Sequence, residues 1–259
     1  MSGPSDHVRV SAEGAIATIV IDRPERRNAL SLAIKRELQA AVETLSGDPT
    51  VRVILLTGAG NCFVAGTDIA EMVGMTTGDH IALRTDSVFH ALRGCDKLLI
   101  AAVEGYALGG GCELALCCDL IVAGEGARFG QPEIRVGIMP GAGGTQAFVR
   151  AMGRHRAMKL LLTGEPVAAR DALALGLLSE VVADGAALAA ATELAGRIVA
   201  MPPLAVAAIR DLVRKGPDLP LDAALAMERQ AFVLLFGSED QKEGMRAFLD
   251  KRQPVYHGR

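Results

Sequence analysis

The chain has no tryptophan, two tyrosines and seven phenylalanines, so aromatic side chains make up only 3% of its 259 residues. Proteins that hold single-stranded nucleic acid stack bases on aromatic rings inside a basic groove. Neither feature is present: the formal net charge is −3, and the Lys and Arg residues are scattered. Nucleic acid is therefore not an expected partner. Half of the residues are hydrophobic, yet no uninterrupted apolar run reaches the roughly 18 residues of a membrane span, because Glu113, Asp119 and similar charges cut each run. No membrane partner is expected either. The first residues, MSGPSDHVRV, lack the basic start, apolar centre and small-residue cleavage site of a signal peptide, which makes a cytoplasmic location the expectation.

Several motifs are also missing. The five cysteines form no CxxC pair and the five histidines no HExxH, so no metal site is expected. Cys112, Cys117 and Cys118 lie in apolar sequence and read as buried reduced thiols. GAGNCF, from Gly58, has Phe63 where a G-x-G-x-x-G fingerprint needs glycine; GAGGTQ fails likewise at Gln146, and GK[ST] does not occur. A dinucleotide or P-loop cofactor has no motif to bind to.

What is present is α/β patterning in a chain long enough to bury about three quarters of its unfolded surface. AIATIVI (Ala15–Ile21) and VRVILLT (Val51–Thr57) read as strands. Between them Ile34, Leu38, Ala41, Val42 and Leu45 recur at helical spacing after a Ser31 N-cap, and Gly47 supplies a stop. LLIAAV (Leu98–Val103) and DLIVAG (Asp119–Gly124) read as buried strands on either side of a short helix ending near Cys118. Helical segments follow from about Gly144, with a short strand near Leu178–Val182, then long Ala- and Leu-rich helices from Ala186, broken at Pro202–Pro203 and Gly216–Pro217. The expected division is an α/β core over 1–195 and a helical region over 196–259.

Three stretches carry chemistry. In LGGGCELAL, Glu113 follows three glycines and sits among apolar neighbours, where an ionisable group is costly to bury. Glycines at a strand-to-helix junction allow close backbone approach, and the first helical amides, unpartnered and at the positive end of the dipole, can bind developing negative charge. Taken alone, the triplet fits a tight turn or a close helix crossing better than an anion site. GAGNCFVAGTDIAEM (Gly58–Met72) also turns through small residues after a strand and leads into a helix. FGQPEIRVGIMPGAGGTQ (Phe129–Gln146) holds a second carboxylate, Glu133, on what reads as a loop after Pro132. The two glutamates become informative only if they converge on one cavity.

RPERRNALS (Arg23–Ser31), AGTDIAEM (Ala65–Met72), the long stretch from Ile100 to Gln146, and SEDQKEGMRAFLDKRQP (Ser238–Pro254) together resemble the crotonase superfamily, and within it the enoyl-CoA hydratases. The resemblance implies a spiral of β-β-α units with a helical C-terminal region that serves trimerisation and covers the CoA pocket, assembled as a homotrimer or a dimer of trimers. It implies an acyl-CoA thioester substrate, no cofactor apart from the CoA of the substrate, and water addition to a trans-2-enoyl-CoA. An oxyanion hole would be formed by the amides of Thr67 and Gly110, with Glu113 and Glu133 as the acid/base pair. CoA contacts would fall on Arg26, Ala29, Ala65, Thr67, Asp68, Ile69, Ala70 and Gly110, with Phe248 and Lys251 at the nucleotide end. Thr67 stands where alanine is frequent and Leu98 where proline is, and neither change removes a catalytic group. A double-bond isomerase or a non-catalytic acyl-CoA-binding protein on the same scaffold are the alternatives.

Overall fold

The computed structural model describes residues 7–259. Its first strand, β1 (Val8–Glu13), alternates apolar and polar residues in VRVSAE, yet only Val8 is buried. It is held by antiparallel pairing with β2 (Ile16–Ile21) across a turn at Gly14. β2 alternates half-buried and buried residues, as its β-branched run predicts. Ser31 then caps α1 (Leu32–Gly47), its Oγ accepting from the Ile34 amide at 3.2 Å, and Ile34, Leu38, Val42 and Leu45 form the buried face. β3 (Val53–Gly58) is buried on both faces, which accounts for its unbroken apolar sequence.

Three short helices follow, α2 (Ile69–Met72), α3 (Thr77–Ala82) and α4 (Ser87–Gly94). The chain then alternates between two sheets. β4 (Leu98–Val103) leads to β5 (Tyr106–Leu108) and α5 (Gly110–Cys117); β6 (Leu120–Gly124) leads to β7 (Arg128–Gly130). After α6 (Gly144–Met152) and α7 (Arg154–Thr163), β8 (Val167–Ala168), α8 (Ala169–Ala174) and β9 (Glu180–Val182) complete the pattern. The larger sheet has the order β1-β2-β3-β4-β6-β9, parallel from β2 onward, and the smaller has the order β5-β7-β8. This is the β-β-α spiral, and its core gathers Phe63, Phe129 and Phe148 with the inward faces of α1 and the larger sheet. Of the cysteines, Cys95 and Cys112 are buried and Cys62, Cys117 and Cys118 half-buried; none is in a disulfide.

The chain divides into two compact units, one ending at Glu193 and the other spanning Leu194–Arg259, with the boundary inside α9 (Ala187–Val199). The second unit contains α10 (Pro203–Lys215), α11 (Leu221–Leu235) and α12 (Glu239–Leu249). Buried Asp240 accepts from the amides of His257 and Gly258 at 2.7 and 2.8 Å, which ties the end of the chain to the first turn of α12. Among the described residues no single helix is long and apolar enough to cross a membrane.

One buried side chain knits the segment before α1 to the loop after β3. Asn28 is fully buried with φ of 57°, a conformation tolerated best by Gly, Asn and Asp. Its Nδ2 donates to the carbonyls of Ala59 and Cys62 at 3.0 and 2.6 Å, and its Oδ1 accepts from the Arg23 amide at 2.8 Å. Asn28→Ala removes all three bonds and leaves part-buried backbone groups of Arg23, Ala59 and Cys62 without this partner. Denaturant unfolding is expected to show a loss of about 3 kcal/mol.

Candidate active site

β5 ends with Leu108 donating to Val64 O and Gly109 donating to Gly130 O, at 3.0 and 2.8 Å, so its end is held from both sides. Gly109 then adopts φ 52°, ψ −126°, which side chains with a Cβ disfavour, and this abrupt turn starts α5 at Gly110. Gly111 is required by contact instead: a Cβ there would overlap the Val64 carbonyl. The Gly110 amide is a first-turn donor with no intrahelical acceptor, and it donates to no other described group.

The Thr67 amide is freed by a different device. Leu30 and Thr67 form an isolated parallel bridge in which Leu30 donates to Gly66 O at 2.8 Å and Asp68 donates to Leu30 O at 3.0 Å. Thr67 lies between those two bonding residues, so its own N–H faces away from Leu30 and donates to no described group. The two residues are neighbours, since a Cβ on Gly110 would lie 2.8 Å from Thr67 Oγ1.

Glu113 is 4% exposed. Its Oε1 accepts from the amides of Ala142 and Gly144 at 2.6 and 2.9 Å, at the start of α6, while Oε2 has no protein donor. Burial pushes its pKa up, opposed by those two amides and by the charges of Lys35 and Arg93. One oxygen is thus anchored and the other is available to a ligand. The anchoring amides were not picked out from the sequence, although glycines 141, 143 and 144 before a helix are the relevant signal.

Glu133 lies on a 3-10 turn, Pro132–Val136, rather than the open loop expected; Pro132 at its first position and Gly137 in a left-handed conformation after it define the turn. Its carboxylate stands beside Gly109, where a Cβ would come within 2.8 Å of Oε1. Burial, followed by the nearby charge of Glu113, pushes its pKa up to about 7. Fully enclosed Gln131, with its amide nitrogen turned toward the carboxyl group, donates to Oε2 and Oε1 at 3.3 and 3.2 Å. No sequence signal marks Gln131 as part of the site.

Thr67, Gly110, Glu113 and Glu133 line one cavity of about 1030 Å³, together with Leu30, Phe89, Met72, Met75 and Met139. Of the residues expected from the sequence, Ala65, Thr67, Ile69, Gly110, Glu113 and Glu133 border it. Arg26, Ala29, Asp68 and Ala70 lie outside its lining; the Asp68 carboxylate instead pairs with Arg23 at 2.9 Å and caps α2. Phe248 and Lys251 belong to the second unit, where Phe248 is 84% exposed and Lys251 has a left-handed backbone. Among the described residues no group of three or more His, Cys, Asp or Glu side chains is arranged to hold a metal ion.

Two unpaired amides and two pKa-raised carboxyl groups thus border one cavity on a β-β-α spiral, and the chain belongs to the enoyl-CoA hydratase/isomerase family, whose model matches residues 11–259. Among its relatives, the 2,3-dehydroadipyl-CoA hydratase of Escherichia coli K12 is 42% identical over 96% of this chain and 98% of the relative. The short-chain-enoyl-CoA hydratase of Clostridium acetobutylicum is 41% identical over 96% of both. The crystal structure of an enoyl-CoA hydratase subunit from Geobacillus kaustophilus superposes with a TM-score of 0.94 at 45% identity, covering 97% of this chain and 98% of that one.

Proposed function

We propose that the chain is a hydro-lyase that adds water across a trans-2-enoyl-CoA to give a 3-hydroxyacyl-CoA, with Thr67, Gly110, Glu113 and Glu133 as its catalytic groups. The reading is carried by the placement of two amides without protein acceptors beside both carboxyl groups. In this mechanism the thioester oxygen accepts from Thr67 N and Gly110 N, which hold the negative charge that develops as water attacks C3. Glu113 Oε2, aimed by the bonds on Oε1, orients the water and takes one of its protons. Glu133, with a pKa near the working range, delivers a proton to C2. The oxygen and remaining hydrogen of water form the 3-hydroxyl, and proton exchange with solvent resets the pair. CoA itself is part of the substrate, and no step calls for a further cofactor.

Ala65 and Ile69 at the cavity wall support a pantetheine path, and the proposal takes Arg26, Ala29, Asp68 and Ala70, which lie outside the cavity lining, as CoA contacts beyond it. The proposal extends to a homotrimer, or a dimer of trimers, built through 196–259, in which Phe248 and Lys251 meet the nucleotide end of CoA. Exposed apolar side chains on the helices of the second unit, including Phe232, Phe236 and Leu249, support such packing.

Purified protein mixed with crotonyl-CoA is expected to remove the conjugated absorbance and yield 3-hydroxybutyryl-CoA. Efficient 3-to-2 double-bond shifting with no hydration of any 2-enoyl-CoA would assign it to isomerase chemistry instead. Light scattering that returned a monomer would remove the assembly part of the proposal.

A further inference from the structure

The α1 wall of the cavity carries a charge that water addition does not use. Lys35 lies on α1 beside the buried face residues Ile34 and Leu38, and its side chain reaches the cavity lining. Nζ donates to Thr85 O at 3.1 Å and stands 5.9 Å from the Phe89 ring centroid. An ammonium has three donors, and the others meet no protein acceptor among the described residues. Burial lowers its pKa, against the raising influence of Glu113, Glu71 and Asp86.

Those three acids border the same cavity, and each also has a hydrogen-bond partner of its own. Glu113 holds the Ala142 and Gly144 amides, Glu71 accepts from the Leu32 amide at 2.8 Å, and Asp86 pairs with His90 at 3.0 Å. On the same wall Arg84 has a left-handed backbone, φ 46°, and its guanidinium makes no hydrogen bond to a described residue. His80 there is joined to Thr85 Oγ1 at 3.0 Å. An alkyl tail filling this end would cover the ammonium without satisfying it, whereas a terminal carboxylate would take up its open donors. The remaining wall, with Met75, Ile81, Ile138 and Met139, suits the methylene chain between.

We propose that Lys35, with Arg84 beside it, selects a 2-enoyl-CoA whose acyl chain ends in a carboxylate, the mono-CoA thioester of an unsaturated dicarboxylic acid. The proposal rests on the hydratase reading and names the substrate class of that site. Its test compares kcat/KM for alkyl 2-enoyl-CoAs and carboxylate-terminated 2-enoyl-CoAs of graded length, in the wild type, Lys35→Met and Lys35→Arg. Methionine keeps the straight chain and helix propensity, and thermal melting checks that the variant folds.

The wild type is expected to prefer the carboxylated chain of best length by about tenfold or more over its alkyl counterpart. Lys35→Met is expected to cut that ratio by about 10- to 100-fold, mainly through KM, and to raise kcat/KM on the alkyl chain. Lys35→Arg should keep most of the preference. An unchanged ratio in Lys35→Met, or an equal fall on both substrate types, overturns the proposal; so does a wild-type preference for hydroxyl-terminated chains. Should the wild type hydrate nothing, that sinks the hydratase reading, and calorimetric binding of saturated acyl-CoAs with and without the terminal carboxylate decides charge selection on its own.

Discussion

Glu113→Gln is expected to lower kcat for crotonyl-CoA hydration by about a thousandfold while CoA-thioester binding changes only a few-fold. Glutamine retains one oxygen to accept from Ala142 and Gly144, so the start of α6 stays anchored. Its second atom is then an amide nitrogen, which can donate to water but cannot accept a proton from it. The substitution therefore separates folding from proton abstraction. Stopped-flow turnover, binding of a non-reactive acyl-CoA and a melting curve together test it; turnover within tenfold of wild type would remove Glu113 as the base.

Glu133→Gln should produce a loss of similar size and also change the pH profile. As the proton donor, Glu133 must be protonated, and its pKa is pushed up to about 7. The wild-type kcat/KM is then expected to fall as pH rises through about 7, with an acid limb where Glu113 becomes protonated; because the two carboxyl groups interact, these limbs belong to the pair. In Glu133→Gln the alkaline limb should vanish from the residual activity. An alkaline limb that persists unchanged would transfer the donor role elsewhere.

The same shift has a stability consequence. The folded pKa of Glu133 lies above the ordinary glutamate value of 4.5, so between about 4.5 and 7 the native state binds more protons than the unfolded chain. Stability contributed by this group is present at low pH and is lost as pH rises through that window. Glu113, raised in the same direction, adds to the slope. Denaturant unfolding at several pH values should therefore show a smaller decline over this range in Glu133→Gln than in the wild type.

Much of this was legible in the residues themselves. Strand β4 occupies Leu98–Val103, the range its apolar run predicts, and α1 begins after Ser31 because the cap and the spacing of Ile34, Leu38 and Val42 agree. Glu113 stood out as a carboxylate in apolar sequence, and burial bears out that oddity. Other elements depart from what their residues suggest or are too short to read. β1 exposes nearly every side chain and exists through its hydrogen bonds to β2, and the small sheet is built from strands of two or three residues, too short for any periodicity to register.

Caps, periodicity and glycine turns act over a few neighbouring residues, so the α/β class and the main strands and helices could be read from them, while the resemblance of four longer stretches supplied the family and the pairing of Glu113 with Glu133. Tertiary structure decided what those residues face. The Leu30 bridge turns the Thr67 amide into the open, the start of α6 takes one oxygen of Glu113, Gln131 reaches Glu133, and α1 presents Lys35 to the same cavity. Each depends on segments far apart in the chain meeting through sheet stacking and core packing, and no local pattern encodes such a meeting.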